Sequence, residues 1–234
     1  MPARRQANAN SESVDNYLKA ILVLGGSTEQ RVTSTALANR LGVAPASITN
    51  MLQKLAVAPE PMVEYERHRG VRLSPAGRRR ALEIVRHHRL IETFLYEILD
   101  YPIEEVHDEA ERLEHFISER FEERIAAKLG HPKTDPHGQS IPTMEGQMPV
   151  REAICLSEAL AGGAYVIDSV GERDAETRRR LEATGLRVGI KLQVLPRTSA
   201  ETCSVSIRRA GQPEDAIDLT AELAGGIRIV PFGI

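Results

Sequence analysis

The feature that most constrains the fold is a change of sequence pattern around residues 131–150, "HPKTDPHGQSIPTMEGQMPV". This segment holds four prolines and no helical or strand periodicity, so it predicts a loop or linker at a domain boundary. Before it, apolar residues recur at three- and four-residue spacing, which favours amphipathic helices. After it, short alternating stretches ("AYVIDSV", "IKLQVL", "CSVSIRR", "GIRIVP") surround one helical stretch, "DAETRRRLEATG". The sequence therefore predicts an α+β protein with a helical first part and a small C-terminal β-barrel.

Glycines and prolines divide the first part into predicted elements. Gly25-Gly26 ends a first helix, Gly42 allows a tight turn between two short helices, and Pro45 suits the start of the second. The expected elements are a short disordered N-terminal arm, a helix over residues 12–24, two helices within 32–55 that bury Leu37, Ala38, Leu41, Ile48, Leu52 and Leu55, a hairpin over 62–75 with His68-Arg69-Gly70 at its tip, a helix from Pro75 to about residue 99, and one long helix from about Ile103 to Leu129.

Two short helices followed by a basic hairpin fit a winged helix-turn-helix, since the major groove admits one helix and phosphates flank it. Residues 1–95 carry 14 Lys and Arg against 8 Asp and Glu, whereas residues 96–145 carry 5 against 13. This asymmetry predicts that the first part meets a polyanion and the second a cation. A merely solvated helix face is the alternative. The predicted DNA-contacting residues are Ser47, Thr49, Asn50, Lys54, Arg67, His68, Arg69 and Arg72.

The stretch "VHDEAERLEHF", residues 106–116, carries ionisable groups at the spacing that normally builds an apolar stripe. On one helix, two histidines and two glutamates fall within an arc of about 100° beside the apolar face: His107, Glu111, Glu114 and His115. His88 and Glu92, at i,i+4 on the preceding helix, would converge with them in an antiparallel pair. Neighbouring carboxylates repel one another, and a divalent cation removes that repulsion. A donor set without thiolate suits Mn(II) or Fe(II). A solvated acidic face with incidental histidines is the alternative.

The stretches "RHHRLIETFL", "EEVHDEAERLEHFIS" and "HPKTDPHGQSIP" resemble, in order and spacing, the diphtheria toxin repressor / manganese transport regulator family of metal-dependent repressors. The residues from "SEALAGGAYVIDSV" through "IDLTAELAGGIRIVP" resemble the ferrous-iron-transport A type of Src-homology-3-like barrel that ends the longer members. The resemblance covers nearly the whole chain. It implies a winged helix-turn-helix domain over residues 1–75, an all-α metal-binding and dimerisation domain over 76–143, and the barrel over 144–234.

The resemblance implies two metal sites. The primary site would use Asn16, Glu111, Glu114 and His115, the ancillary site would use His88, Glu92 and His107, and the barrel would add Glu172. Glu111 points to manganese, because the iron-type members have Cys at that position. Asn16 stands where manganese-type members have Asp, and Asp15 is a substitute that points ~100° away from it. Lys19 stands where the short binuclear members have Glu, which argues against their two-metal arrangement.

The function implied by the resemblance is that of a cytoplasmic transcription regulator. Loaded with Mn(II) or Fe(II), a homodimer would bind a palindromic double-stranded DNA operator and repress metal-uptake genes; Co, Ni, Zn or Cd would substitute in vitro. A membrane is not expected as a partner, since no run of 18 apolar residues occurs. A small organic substrate is not expected for a regulator of this family. The rivals are a di-metal carboxylate enzyme and a metal-independent winged-helix regulator. Against the enzyme, the chain has only Glu104-x-x-His107, no His-Glu-x-x-His, no nucleophile elbow and no phosphate loop.

Overall fold

A computed structural model describes residues 2–26, 30–171, 175–196, 204–211 and 216–232. The chain forms two compact units. The first contains residues 1–95, 106–131 and 141–149, and the second contains 96–105, 132–140 and 150–234. The predicted fold class is confirmed: the first unit holds a winged helix-turn-helix and a helical domain, and the second holds a small antiparallel sheet. Among the helices of these described ranges, none is long and apolar enough to cross a membrane.

The winged helix-turn-helix has three helices and a hairpin. They are α1 (Pro2–Gly25), α2 (Ser34–Leu41), α3 (Pro45–Ala56), β1 (Val63–Glu66) and β2 (Gly70–Leu73). Thr33 Oγ1 caps α2 by accepting from the Ala36 N–H, and Gly42, at φ +64, ends it in the left-handed conformation. The predicted core positions of α3 are buried, since Ile48 and Leu52 are fully covered.

The first helix is longer than the sequence predicts. Residues before Glu12 are expected to form a disordered arm, but α1 begins at Pro2. Alanine, the strongest helix former, occurs three times between Pro2 and Glu12, and no glycine or proline interrupts residues 3–24. The helix therefore continues back to the proline, a residue that suits the first turn.

The helical domain contains α4 (Pro75–Leu99), α5 (Ile103–Leu113) and α6 (Glu119–Lys128). The prediction of one long helix from Ile103 to Leu129 is wrong, because the chain turns between Leu113 and Glu119. Ser118 Oγ accepts from the Phe121 N–H and so starts a new helix. As a result, Glu114 and His115 lie in the turn that follows α5.

The second unit is built on a six-stranded sheet in the order β3-β8-β4-β5-β6-β7, with every neighbouring pair antiparallel. Its elements are β3 (Ile154–Cys155), a 3-10 turn (Leu156–Glu158), β4 (Ala164–Val170), α7 (Ala175–Ala183), β5 (Lys191–Val194), β6 (Ser204–Arg209), β7 (Ala216–Thr220), α8 (Ala221–Gly225) and β8 (Ile227–Pro231). The four strands and the helix expected from sequence are present. Side chains along each strand alternate between the two faces of the sheet, and Ile167, Ile207 and Ile229 lie on the inner face, in the core.

The proline-rich segment over residues 131–150 contains no helix and no named strand. Its first half is an ordered loop of the second unit: Asp135 Oδ1 accepts from the N–H groups of His137 and Gln139, at 2.8 and 2.9 Å. The His137 carbonyl accepts from the Val170 N–H of β4. Ile141, in the second half, is buried beside Leu90 in the first unit. Of the two predicted alternatives, loop or linker, the segment is a folded loop, and its halves belong to different units.

Candidate metal centre and nucleic-acid interface

Three of the predicted ligands converge in a triangle between α4 and α5. His88 Nε2 lies 3.0 Å from Glu92 Oε1 and 3.2 Å from His107 Nδ1. The third edge, from His107 Nδ1 to Glu92 Oε1, is 3.0 Å. His88 and Glu92 are fully buried and share a face of α4 because they lie one turn apart. We call these three residues the His–Glu–His triangle.

The His–Glu–His triangle fits a divalent transition metal. Ligand atoms about 2.1 Å from a metal lie about 3.0 Å apart along an octahedral edge and about 3.4 Å apart in a tetrahedron. The observed edges of 3.0–3.2 Å match the octahedral spacing more closely. Two imidazole nitrogens and one carboxylate oxygen suit Mn(II), Fe(II) and the later divalent metals.

A proton competes with a metal for His88. Burial and the Lys19 ammonium lower the pKa of His88, but Glu92 and Glu114 outweigh them and raise it to about 10. At neutral pH His88 is therefore an imidazolium, which donates from Nδ1 to Glu114 Oε2 over 2.5 Å and from Nε2 to Glu92. Because a metal ligand must be a neutral imidazole, metal binding at Nε2 has to release that proton.

Glu111 and Glu114 surround the ammonium of Lys19, which belongs to α1. Lys19 Nζ donates to Glu111 Oε1 at 2.6 Å and to Glu114 Oε2 at 2.9 Å. Lys19 is 6% exposed and Glu114 is fully buried, so water screens this contact weakly. Burial alone would raise the pKa of Glu111. The charges of Lys19 and His88 outweigh burial, so the pKa lies below its ordinary value and Glu111 stays ionised. We call Lys19, Glu111 and Glu114 the lysine–carboxylate cluster.

The lysine–carboxylate cluster does not fit a metal in this arrangement. The ligand atoms of His88, Glu111 and Glu114 lie within 4.8 Å of one another, as a metal would require. The Lys19 ammonium, however, contacts all three residues, including His88 Nδ1 at 3.2 Å. A divalent cation among these atoms would meet an ammonium at short range, where like charges repel strongly.

The other predicted ligands meet around His115. Its Nε2 lies 3.4 Å from Glu114 Oε1, and its Nδ1 lies 3.4 Å from Asp15 Oδ2. His115 Nε2 lies 3.0 Å from Asn16 Oδ1, which joins the turn after α5 to α1. Asp15, the suggested substitute ligand, also receives two hydrogen bonds of 2.8 Å from Arg80 of α4. Among the described His, Cys, Asp and Glu residues, His115 belongs to none of the triads that converge within 4.8 Å. Glu172 lies outside the described residues.

Sequence reasoning missed a polar contact between α4 and α6. His87 Nε2 lies 3.1 Å from Glu122 Oε2, and His87 Nδ1 lies 3.1 Å from the Glu114 carbonyl. Arg86 also binds Glu122. The signal was the histidine pair in "RHHRL": consecutive residues on a helix point about 100° apart, so one ring faces α6 and the other faces α5.

The predicted DNA-reading face of α3 is accessible. Ser47, Asn50 and Lys54 are exposed on the side opposite the buried Ile48 and Leu52. Thr49 is half-buried, and its hydroxyl donates to the Pro45 carbonyl at 3.3 Å. Three of the four predicted positions therefore present exposed polar side chains of the kind that contact bases and phosphates.

The hairpin carries fewer available cations than its sequence suggests. Arg67, His68, Arg69 and Arg72 are all exposed. Arg72 Nε, however, donates to Glu64 Oε2 at 2.7 Å, and Arg69 Nη1 donates to Glu66 Oε2 at 3.0 Å. Two of the predicted phosphate-binding residues thus have carboxylate partners within the hairpin, which lowers its net positive charge.

A winged helix-turn-helix joined to a helical domain with buried metal-type ligands defines a class of metal-responsive DNA-binding proteins. Three family models match the chain: "Iron dependent repressor, N-terminal DNA binding domain" over residues 10–71, "Iron dependent repressor, metal binding and dimerisation domain" over 74–143, and "FeoA domain" over 154–231. The chain belongs to the iron-dependent repressor family, which includes the diphtheria toxin repressor.

Relatives match over most of the chain. A solved manganese-dependent transcriptional repressor in complex with manganese is 35% identical, with a TM-score of 0.82, over 94% of this chain and 100% of that one. ScaR with bound Zn²⁺ is 32% identical, with a TM-score of 0.79, over 94% and 99%. The diphtheria toxin repressor of Corynebacterium diphtheriae is 26% identical over 93% of this chain and 96% of its own. The iron-dependent repressor IdeR of Mycobacterium tuberculosis is 33% identical, and there the match spans only 56% of each chain.

Proposed function

We propose that the protein is a transcription repressor that binds Mn(II) or Fe(II) at the His–Glu–His triangle and, when loaded, binds a palindromic DNA operator as a homodimer. The observation that carries this proposal is the buried triangle of His88, Glu92 and His107, in the same compact unit as α3 and the hairpin. Solved relatives named for manganese favour Mn(II), and curated relatives named for iron keep Fe(II) as a candidate. Co, Ni, Zn and Cd are expected to bind in vitro.

His88 is the residue that links the triangle to the DNA-binding domain. A bound divalent cation would supply positive charge at the triangle in place of the proton on His88 Nε2. His88 keeps its Nδ1 hydrogen, which it donates to Glu114, and Glu114 in turn accepts from Lys19 of α1. Hydrogen-bonded carboxylates of this kind orient a ligand imidazole. Since α1 packs against α2 and β2, a change at His88 reaches the helix-turn-helix through direct contacts.

The DNA contacts follow from the chemistry of α3 and the hairpin. Asn50 can pair with an adenine edge through its amide, whereas Lys54 and Arg67 suit phosphates. Two copies related by a two-fold axis would place two α3 helices one DNA turn, about 34 Å, apart. Phe116 and Phe121 are 61% and 51% exposed and support a dimer contact in the helical domain. The regulatory outcome that this proposal predicts is repression of metal-uptake genes.

DNA-binding titrations test the proposal. A palindromic duplex selected from a random library would be titrated with full-length protein in Mn(II), Fe(II), Co(II), Zn(II) or excess chelator. We expect tight binding with metal and loss of binding with chelator. His107→Asn should lose the metal response, because it removes one corner of the triangle. His131→Asn is the matched control: His131 is exposed at φ +57, a conformation that Asn tolerates.

The outcomes distinguish metal regulation through the triangle from metal regulation at another site and from a metal-independent regulator. DNA affinity that metal leaves unchanged would contradict the proposal and favour a metal-independent winged-helix regulator. A metal response that survives His107→Asn would retain metal regulation but exclude the triangle as its site. Loss of response in His131→Asn as well would show a general effect of losing histidine, rather than the loss of a ligand.

A further inference from the structure

We propose that the Lys19 ammonium is a built-in cation that occupies the Glu111–Glu114 carboxylate pair in place of a second metal ion. This region then takes up one divalent ion per protomer, at the His–Glu–His triangle. The same contact holds α1 against the end of α5 in the metal-free protein. The metal count rests on the proposed function, whereas the contact between α1 and α5 does not depend on it.

The carboxylates need a positive charge, and Lys19 supplies it. Glu114 is fully buried and the Glu111 side chain is 39% exposed, so two negative charges meet where water compensates them poorly. Lys19 Nζ reaches Glu111 Oε1 at 2.6 Å and Glu114 Oε2 at 2.9 Å, which are lengths of charge-assisted hydrogen bonds. An internal ammonium thus performs the electrostatic role that a metal would otherwise have in this cluster.

Lys19 is not easily displaced by a metal ion. Its residue is 6% exposed, and the neighbouring Leu18 and Ala20 of α1 are buried, so the stem of the side chain is held within the protein. A divalent cation would have to take Glu111 and Glu114 from an ammonium that remains close by. The cost of two like charges in such a poorly solvated place opposes that exchange.

The lysine–carboxylate cluster and the His–Glu–His triangle contact different nitrogens of the His88 imidazole. His88 Nδ1 faces the lysine–carboxylate cluster, at 2.5 Å from Glu114 Oε2, and His88 Nε2 faces Glu92 and His107. The ammonium at Nδ1 therefore leaves Nε2 available as a metal ligand. This division accounts for one metal position beside one lysine position in the same buried region.

Mn(II) counting and hydrogen exchange test the proposal on the full chain. Equilibrium dialysis would compare wild type with Lys19→Glu, Glu111→Gln and the control Lys128→Glu, which makes the same charge change on an exposed lysine. We expect Lys19→Glu to bind one more Mn(II) per protomer than wild type, and the other two to bind the same number as wild type. Lys19→Glu would be purified and measured in Mn(II), which offsets the repulsion among three carboxylates.

Hydrogen exchange in excess chelator measures the metal-free contact. Lys19→Met should raise the exchange rates of α1 amides by at least about tenfold, because it leaves Glu114 buried without its cation. Lys128→Met should leave them unchanged. Equal α1 exchange in wild type and Lys19→Met would overturn the proposal. So would an equal Mn(II) count in Lys19→Glu, or the loss of one Mn(II) in Glu111→Gln. If wild type bound no Mn(II), the proposed function would fail, and the exchange rates would still decide the role of Lys19.

Discussion

Raising the pH from 7 to 8 should tighten Mn(II) binding at the His–Glu–His triangle about tenfold. The pKa of His88 is raised to about 10, since Glu92 and Glu114 outweigh burial and the Lys19 charge. Throughout this pH range nearly every His88 is protonated, so each bound metal releases close to one proton from Nε2. One proton per metal changes the apparent affinity about tenfold, or about 1.4 kcal/mol, per pH unit.

The direction of this pH dependence is determined by which state of the protein binds the His88 proton more tightly. The folded, metal-free protein binds the His88 proton more tightly than a free histidine does, because its pKa lies above the ordinary 6.5. Contributions of this proton to folding stability are therefore complete below about pH 6.5 and are lost as the pH rises through 10. Metal affinity has the opposite trend: it increases with pH up to about 10 and then levels off. At pH 7 the proton lowers the apparent affinity about a thousandfold relative to that plateau.

Calorimetry can count the proton directly. Mn(II) would be titrated into the full chain at one pH in MOPS and in Tris, whose ionisation enthalpies differ, and the slope of observed enthalpy against ionisation enthalpy gives the protons released. We expect a slope near one for wild type and for His131→Asn, whose exposed ring lies outside the triangle. A slope near zero, with equal affinities at pH 7 and 8, would refute the assignment of a protonated His88 to the triangle.

Three further predictions concern the winged-helix domain and its contact with α4. Arg80→Met should lower the free energy of unfolding in urea by about 2–3 kcal/mol, because buried Asp15 loses its two short Arg80 hydrogen bonds and keeps only the longer His115 contact at 3.4 Å; an unchanged midpoint would contradict this. Asn50→Ala should reduce the preference for operator over random DNA in fluorescence anisotropy, whereas equal losses on both duplexes would exclude a base contact. Glu64→Gln should free Arg72 and steepen the salt dependence of DNA binding by up to about one unit of slope; an unaltered slope would show that Arg72 does not reach phosphate.

The winged helix-turn-helix was predictable because its signals are local. Gly42 and Pro45 mark the turn between α2 and α3, and both act through their own backbone conformation. The burial of Ile48 and Leu52 follows from helical periodicity alone. The cap at Ser118 was also visible, since acidic residues follow it within one turn, but the apolar periodicity continues across the break and favours a single helix.

The arrangement of the ligands was not predictable from spacing. A helical arc places His107, Glu111 and Glu114 on one side of α5, but it says nothing about which residue of α1 reaches them. Lys19 contacts Glu111 and Glu114, although these residues lie 92 and 95 positions further along the chain. Only the packing of α1 against the helical domain determines that an ammonium, rather than Asn16 or Asp15, meets those carboxylates. The two hydrogen bonds from Arg80 to Asp15 are likewise set by this packing.

The substitutions at Asn16 and Lys19 have a common electrostatic consequence. The resemblance to the short binuclear manganese-type members implies Asp and Glu at these two positions. Replacement by Asn and Lys makes the region three charge units more positive, which exceeds the two units that one divalent ion supplies. Glu111 and Glu114 are retained, so a region that kept a second ion would carry an excess of buried positive charge. Without that ion, Lys19 balances one carboxylate and the His88 imidazolium balances another. Metal binding at the triangle then replaces one proton on His88, and the buried charge changes by a single unit.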